Sequence, residues 1–403
     1  MQPSQPAARP RIPAAVWMLG VVSMLMDISS EMIHSLLPMF MVGTLGMSVL
    51  AVGVIEGLAE ATALIVKVFS GALSDYVGRR KGLALLGYAL GAFTKPLFAI
   101  ASGAGLVVAA RLIDRVGKGI RGAPRDALVA DITPPEIRGA AFGLRQSLDT
   151  VGAFVGPLLA VVLMLLWADN FRAVFWVGVV PGLLAVAVLA LGVHEPERHE
   201  GAPRSNPIQR RNMRRLGAAY WWVVAAGALF TLARFSEAFL VLRAQELGIA
   251  IALVPLVMVA MNLVYAAAAY PFGWLSDRVG HRQLLAWGLV VLIVADALLA
   301  TAQHWGMVIA GVAVWGIHMG MTQGLLASMV AHATPADLRG TAYGVFNLAS
   351  GLAMLAASVI AGLVWDKLGP AATFWAGGAF AALCLVWLGL GSLRSARSIA
   401  SGG

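Results

Sequence analysis

The sequence predicts an all-α membrane protein of twelve transmembrane helices arranged as two pseudo-symmetric six-helix bundles. Three observations lead there. Of the 403 residues, 60% are hydrophobic and only 12% are charged, about half the charged share of an ordinary soluble domain. Apolar runs of the roughly 20 residues needed to span a bilayer recur along the whole length. The second half also repeats the first. GALSDYVGRRKGL at Gly71 recurs as GWLSDRVGHRQLL at Gly273, 202 residues later, and ADITPPEIRGAAFGL at Ala130 recurs as AHATPADLRGTAYGV at Ala331, 201 residues later.

Residues 1–13 read as a short tail. Apolar segments follow at 14–42, 48–72, 83–101, 105–128, 140–166 and 171–193, which make up a first bundle over 14–193. The first segment is too long, and too charged in its middle, for a cleaved signal peptide. Residues 194–216, rich in charge, Pro and Gly and without an apolar period, read as an exposed linker. Segments at 217–242, 250–274, 283–302, 306–331, 340–365 and 371–392 form a second bundle over 217–392, and 393–403 is a second tail. Arg79, Arg80, Lys81, Arg138, the six arginines of the linker, Arg278, Arg282, Arg339, Arg394 and Arg397 all fall on one side, while the opposite loops carry almost no charge. The positive-inside rule then puts both termini and the linker in the cytoplasm, with the chain multi-pass in the inner membrane. The same loops account for the net charge of +9, which in a soluble protein would raise nucleic-acid binding; no nucleic-acid partner is expected. The one cysteine, Cys384, excludes an intrachain disulfide.

The stretch around which these segments are organised is RLIDRVGKGIRGAPRDALVAD, Arg111–Asp131. On a helix, Arg111, Asp114, Arg115, Lys118, Arg121, Arg125 and Asp126 fall within an arc of roughly 140°. Each charge at the bilayer centre costs at least about 2.5–3.5 kcal/mol. Such a stripe persists only where it faces a water-filled route or charged partners on other helices. Segment 1 holds Asp27, Glu31 and His34 within about 60° of one another. Carboxyl groups withdrawn from water can exchange protons near neutral pH, and a histidine extends the range, so these three are candidates for proton coupling or cation binding. They are also types that bind metals, but no His-x-His or cysteine cluster accompanies them and no metal is expected. Segment 2 carries Glu56, Glu60 and Lys67 on one face, with Glu60 and Lys67 two turns apart and expected to pair. Lys95-Pro96 marks a kink in segment 3. Segment 5 carries Arg145 and Asp149 at i, i+4, with Gly152 and Gly156 on the same face. The matched positions of the second half are Phe346 and Ser350, and those of Lys118 and Arg121 are Met319 and Thr322, so the repeat concentrates charge in the first half. In the second half, Arg234 and Glu237 read as a local pair, His318 as a hydrogen-bonded helix contact, and Met258, Met261, Met319 and Met321 as packing or an adaptable apolar wall.

Gly71-Ala-Leu-Ser-Asp75-Tyr-Val-Gly78-Arg79-Arg80-Lys81 resembles the signature loop between helices 2 and 3 of the major facilitator superfamily, and its second copy, with Gly273, Asp277 and Gly280, stands where that family has one. Gly152-Ala-Phe-Val-Gly156-Pro157 is similar to the GxxxGP part of the motif associated with proton-driven antiporters in the family. Arg111 or Arg115 takes the place of the family's helix-4 arginine. The resemblance covers the whole chain and implies rocking of the two bundles about a central site. It implies a gate at Asp75, Arg79 and Arg80, with Asp126 or Asp131 as carboxylate partners at the end of segment 4.

With no G-x-x-x-x-G-K-[ST], HExxH or G-x-S-x-G pattern, neither direct ATP use nor enzymatic chemistry is expected. The expectation is a monomeric secondary transporter without cofactors, driven by the proton gradient, that exports a small organic solute. Protons would bind at Asp27, Glu31, His34 or Asp149, and the cavity would be lined by Arg111, Asp114, Arg115, Lys118, Arg121, Arg145, Glu56 and Glu60. The alternatives are uptake or exchange of an anionic solute such as an organic acid or siderophore, and a non-transporting receptor on the same fold.

Overall fold

The computed structural model of the protein describes residues 12–77, 80–134, 137–195, 215–276, 278–322, 324–335 and 338–400, with the side chains of 72, 75–77, 270, 276, 340 and 390–400 excepted. Most of the expected linker, 196–214, lies outside them.

The first half contains α1 (Ala14–His34, continued by Leu37–Met39 and a π-helical turn Phe40–Thr44), α2 (Val49–Val77), α3 (Arg80–Ile100), α4 (Ala104–Ile132), α5 (Arg138–Leu166) and α6 (Phe171–Gly192). The second contains α7 (Ala218–Ala233 and Ala238–Glu246), α8 (Leu256–Ser276, led by a 3₁₀ turn Ile251–Leu253), α9 (His281–Thr301), α10 (Trp305–Thr322 and Leu325–His332), α11 (Arg339–Leu368) and α12 (Pro370–Ala400). α12 thus runs past the expected end at 392. Prolines interrupt α3, α4, α5, α6 and α8 without ending them. Buried helices tolerate this because neighbouring helices meet the freed backbone groups. The break in α10 falls at Gly324, whose φ of 79° needs a residue without a Cβ.

Eleven of these helices are long and apolar enough to cross a membrane. The twelfth, α4, has the length but carries the charged stripe. It is enclosed by α2 and α3, which pack along it, so its charges are met by protein rather than by hydrocarbon.

The halves meet along two seams, α2 against α11 and α5 against α8. At the end away from the linker, Ala238–Glu246 of α7 also packs on Leu37–Met39 of α1. One apolar core crosses the halves there, joining Phe40 and Phe98 to Phe239 and Trp315. Toward the linker the core divides: Leu19, Tyr88 and Leu128 belong to one cluster, Tyr220, Val330 and Phe346 to another. The apolar core is therefore shared at one end and divided at the other, while the α2–α11 seam continues to the linker end, where Gly344 packs on Val68.

Glycines set the α2–α11 seam. A Cβ at Gly53 would collide with the Ser358 carbonyl oxygen, and one at Gly362 would stand 2.7 Å from the Leu50 Cα. Such closeness is how membrane helices gain van der Waals contact when no hydrophobic force drives them together. Gly53→Leu is therefore expected to destabilise the folded chain by about 1–3 kcal/mol, as overpacking does. Gly43→Leu, where a Cβ meets nothing within 4 Å, should be near neutral. Thermal unfolding in detergent compares the two.

Candidate functional site

The site begins with the approach of α5 to α1. A Cβ on Gly152 would lie 2.5 Å from the Met24 carbonyl oxygen and 2.9 Å from the Asp27 Cβ, and one on Gly156 would lie 2.9 Å from the Glu31 Cβ. The two glycines let α5 lie directly on the helix turns that carry these carboxylates. Asp149 belongs to the same face of α5.

Two cavities lie beside this contact. The first, of about 250 Å³, sits between the halves and is lined by Glu31, His34 and Pro38 of α1, Glu56 and Glu60 of α2, Arg111, Arg115 and Lys118 of α4, residues 234–238 and Val241 of α7, Met258 and Met354. The second, of about 330 Å³, is lined from the first half by Asp27, Glu31, Glu60, Lys67, Lys118, Arg121, Arg125 and Asp149 among others. Glu31, Glu60 and Lys118 belong to both, so the cavities meet.

Most of the charges pair across helices. Arg111 donates to Glu56, and both are buried. Arg115 lies 3.1 Å from Glu60, Arg121 4.0 Å from Asp27, and Arg234 3.7 Å from Glu237. The Arg121 guanidinium also rests on the Tyr88 ring at 4.9 Å. Lys118 differs. It is exposed in the middle of α4 and makes no hydrogen bond or ion pair within 4 Å among the described residues. Glu31 and Asp27 are 24% and 30% exposed, against 3% for Asp114. On the first-half wall, then, the groups most open to water are one ammonium and the carboxylates around it.

Several sequence expectations change here. Asp114 lines neither cavity; it is buried behind the wall, 2.8 Å from Lys95 and 3.5 Å from His34 Nε2, and Lys95 donates also to Ser30. An arc of 140° is wider than one interface, and the edge of the stripe at Asp114 turns to α3. Glu60 pairs with Arg115 rather than Lys67, because two helical turns separate charges by about 10 Å, too far for a direct pair. Arg145 lines neither cavity and joins a network toward the linker end: 2.6 Å to Asp149, 2.9 Å to Gln146 and 3.7 Å to Asp126. Asp126 is occupied by Arg125 and Arg145, and Arg125 also reaches Ser23.

The second half contributes a break. Residues 234–237 leave the helix between the two parts of α7 and present Arg234, Phe235, Ser236 and Glu237 to the first cavity. Sequence reasoning saw only a local pair there, since ARFSE contains neither Gly nor Pro to signal a break. Of the four methionines considered as a wall, only Met258 lines the cavity; Met261, Met319 and Met321 are core residues. His318 is a helix contact, 2.7 Å from the Gly288 carbonyl oxygen and stacked on Phe230. Asp296 is fully buried away from both cavities, and neither oxygen has a hydrogen-bond partner among the described residues.

The sequence pattern of the Major Facilitator Superfamily matches residues 19–243 and again 223–401. The chain belongs to the Major Facilitator Superfamily. An uncharacterized MFS-type transporter of Methanocaldococcus jannaschii is 33% identical over 374 residues, covering 91% of this chain and 92% of its own. The multidrug resistance protein MdtH of Edwardsiella ictaluri is 29% identical over 171 residues, 42% of each chain. Among solved structures, a bacterial homolog of the human lysosomal transporter Spinster, in an inward-facing, occupied conformation, superposes with a TM-score of 0.78 at 17% identity, over 96% of this chain and 98% of that one.

The superfamily's signature loop is partly visible in this transporter. Gly78, Arg79 and Asp277 lie outside the described residues, as does the side chain of Asp75. Arg80 pairs with Asp131 at 2.6 Å, and its backbone amide donates to Glu195, at the start of the linker. Among the described residues of the loop, Arg80 thus meets Asp131. Gly71 packs at ordinary contact distance on Ala123 of α4, whereas a Cβ at Gly273 or Gly280 would meet nothing within 4 Å.

The Lys95–Asp114 pair generates a sharp stability prediction for this superfamily member. Lys95→Met strands a buried carboxylate and is expected to cost about 3–5 kcal/mol. The double variant Lys95→Met/Asp114→Leu should be more stable than Lys95→Met alone, because no uncompensated charge is left. Thermal unfolding of both variants, read as a double-mutant cycle, checks it.

Proposed function

We propose that this chain is a proton-coupled secondary transporter that exports a small organic solute by alternating access. The observation that carries the reading is that Asp27, Glu31 and Lys118 line these cavities with no ion-pair partner closer than 4.0 Å among the described residues, whereas most other charges there are paired more closely. A coupling group must reach water and must change partners during the cycle; Glu60 reaches water but is held by Arg115 at 3.1 Å. Asp27, at 4.0 Å from Arg121, has a loosely held partner to exchange, whereas Asp149 is held by Arg145 at 2.6 Å.

In this cycle the two six-helix bundles, 14–193 and 217–392, rock about the α2–α11 and α5–α8 seams. The present arrangement, closed at Ala238–Glu246 and with its apolar core divided toward the linker, is read as the form loaded from the linker side. With the basic loops in the cytoplasm of an inner membrane, that side is cytoplasmic. A solute entering the first cavity from the linker side drives the proton carried by Asp27 or Glu31 out to that side. After the bundles reopen on the other side and the solute leaves, the same carboxylate takes up a new proton there. Arg80–Asp131 belongs to the gate that closes the linker end, and acts on the conformational equilibrium rather than on the solute. Export is supported by the similarity to MdtH over part of the chain and by the GxxxGP segment, which here seats α5 on the coupling helix. The alternative, uptake or exchange of an organic anion, keeps the support of Arg111 and Arg115, which line the cavity, although their charges are met by Glu56 and Glu60.

In everted vesicles with an acid lumen, an exported solute should release part of the proton gradient. Asp27→Asn is expected to reduce that release about a hundredfold or more, the lower end of what a positioned proton-transfer group contributes, while solute binding persists. Solute accumulation only in right-side-out vesicles would reverse the direction, and a wild-type release by Asp27→Asn would remove Asp27 from the coupling.

A further inference from the structure

We infer that the solute is zwitterionic, carrying a protonated amine that faces Glu31 and a carboxylate that faces Lys118. The inference deepens the transport reading above and rests on it for the word solute; the binding chemistry stands on the cavity itself. The charged side chains of the first cavity cancel: four are cationic and four are carboxylates. Six of the eight are engaged with one another in the Arg111–Glu56, Arg115–Glu60 and Arg234–Glu237 pairs. What remains is one group of each sign. Lys118 has no partner within 4 Å among the described residues, and Glu31 has only His34 Nδ1 at 4.0 Å, a histidine whose other ring nitrogen faces Asp114.

A net cation bound here would meet Glu31 but leave Lys118 uncompensated in a confined site. A net anion would leave Glu31 so. Burying a charge without a partner is costly, and only a ligand bearing both signs answers both residues at once. Charge-assisted hydrogen bonds to an ammonium and a carboxylate are the strong ones available to such groups. The first cavity, at about 250 Å³, holds a molecule on the scale of an amino acid, and the adjoining cavity of about 330 Å³ leaves room for a longer one. The opposite wall, with Phe235, Met258 and Met354 beside Ser236, suits the apolar middle of such a molecule.

The test uses the purified full-length chain in detergent and calorimetric binding of matched probes. These are 4-aminobutanoate, 6-aminohexanoate and 8-aminooctanoate, against the alkylamines and the alkanoates of the same lengths. At least one ω-amino acid should bind about tenfold or more tightly than its amine and its alkanoate. Lys118→Met and Glu31→Gln should each weaken it by about ten- to hundredfold, the equivalent of one lost charge-assisted hydrogen bond. The variants should also diverge in preference, Lys118→Met towards the amine and Glu31→Gln towards the alkanoate, which a folding defect would not produce. Equal binding of an amine or an alkanoate to the unaltered chain overturns the inference. So does binding of none of the probes, or variants that weaken without diverging. Zwitterion binding without proton release in vesicles would sink the coupling and leave this inference standing; proton release driven by alkylamines alone would do the reverse.

Discussion

A positive charge in a membrane interior has to be met by a negative one or by water, and α4 carries more of them than any other helix here. That constraint orders the first half. Arg111 and Arg115 draw Glu56 and Glu60 of α2 to one side, and Asp114 draws Lys95 of α3 to the other. α4 is thereby held between two helices by pairs on both flanks. The close approach of small residues makes those pairs reachable: Gly117 lies against Gly87 of α3, and Gly119 against Ala63 and Val66 of α2. Buried pairs of this kind contribute modestly to net stability, but losing one partner is costly. Their effect is to fix which helices touch and in what register.

Where the pairing stops, the cavities begin. Lys118 falls one turn after Arg115, at the level where α2 turns Glu60 to Arg115 and leaves no second carboxylate within reach. α5 closes on α1 through Gly152 and Gly156 just there, so Asp27 and Glu31 keep an open side toward Lys118 rather than toward hydrocarbon. The break in α7 supplies the facing wall. Its unwound residues 234–237 expose backbone in the one kind of place a membrane protein allows it, beside a polar cavity. Paired charges thus build the scaffold, and the few that lack partners define the space in which a solute can bind.

Much of the architecture was legible in the chain, because it depends on period and repetition. The recurrence of Gly71–Leu83 at Gly273 and the spacing of apolar runs anticipate both halves. The stripe on α4 and the α1 carboxylates were visible because a charge inside an apolar run stands out. Partner identity was not legible, since helical-wheel reasoning sees one helix at a time. Glu60 was matched with Lys67 on its own helix, while its partner, Arg115, comes from α4. Asp114 shares the stripe's arc but belongs to the interface with α3. The α7 break has no Gly or Pro, and Met354 is one apolar residue among many; tertiary packing alone brings them to the cavity.

The most direct measurement is the water accessibility of position 118. On a Cys384→Ser background, which removes the only native thiol, Lys118→Cys and Ile113→Cys would each be treated with a charged, water-soluble methanethiosulfonate reagent in native membranes. Ile113 is exposed at 39% on the apolar side of the same helix. The account predicts rapid modification at 118 and none at 113. An unreactive cysteine at 118, with or without reaction at 113, would contradict a water-filled cavity beside α4.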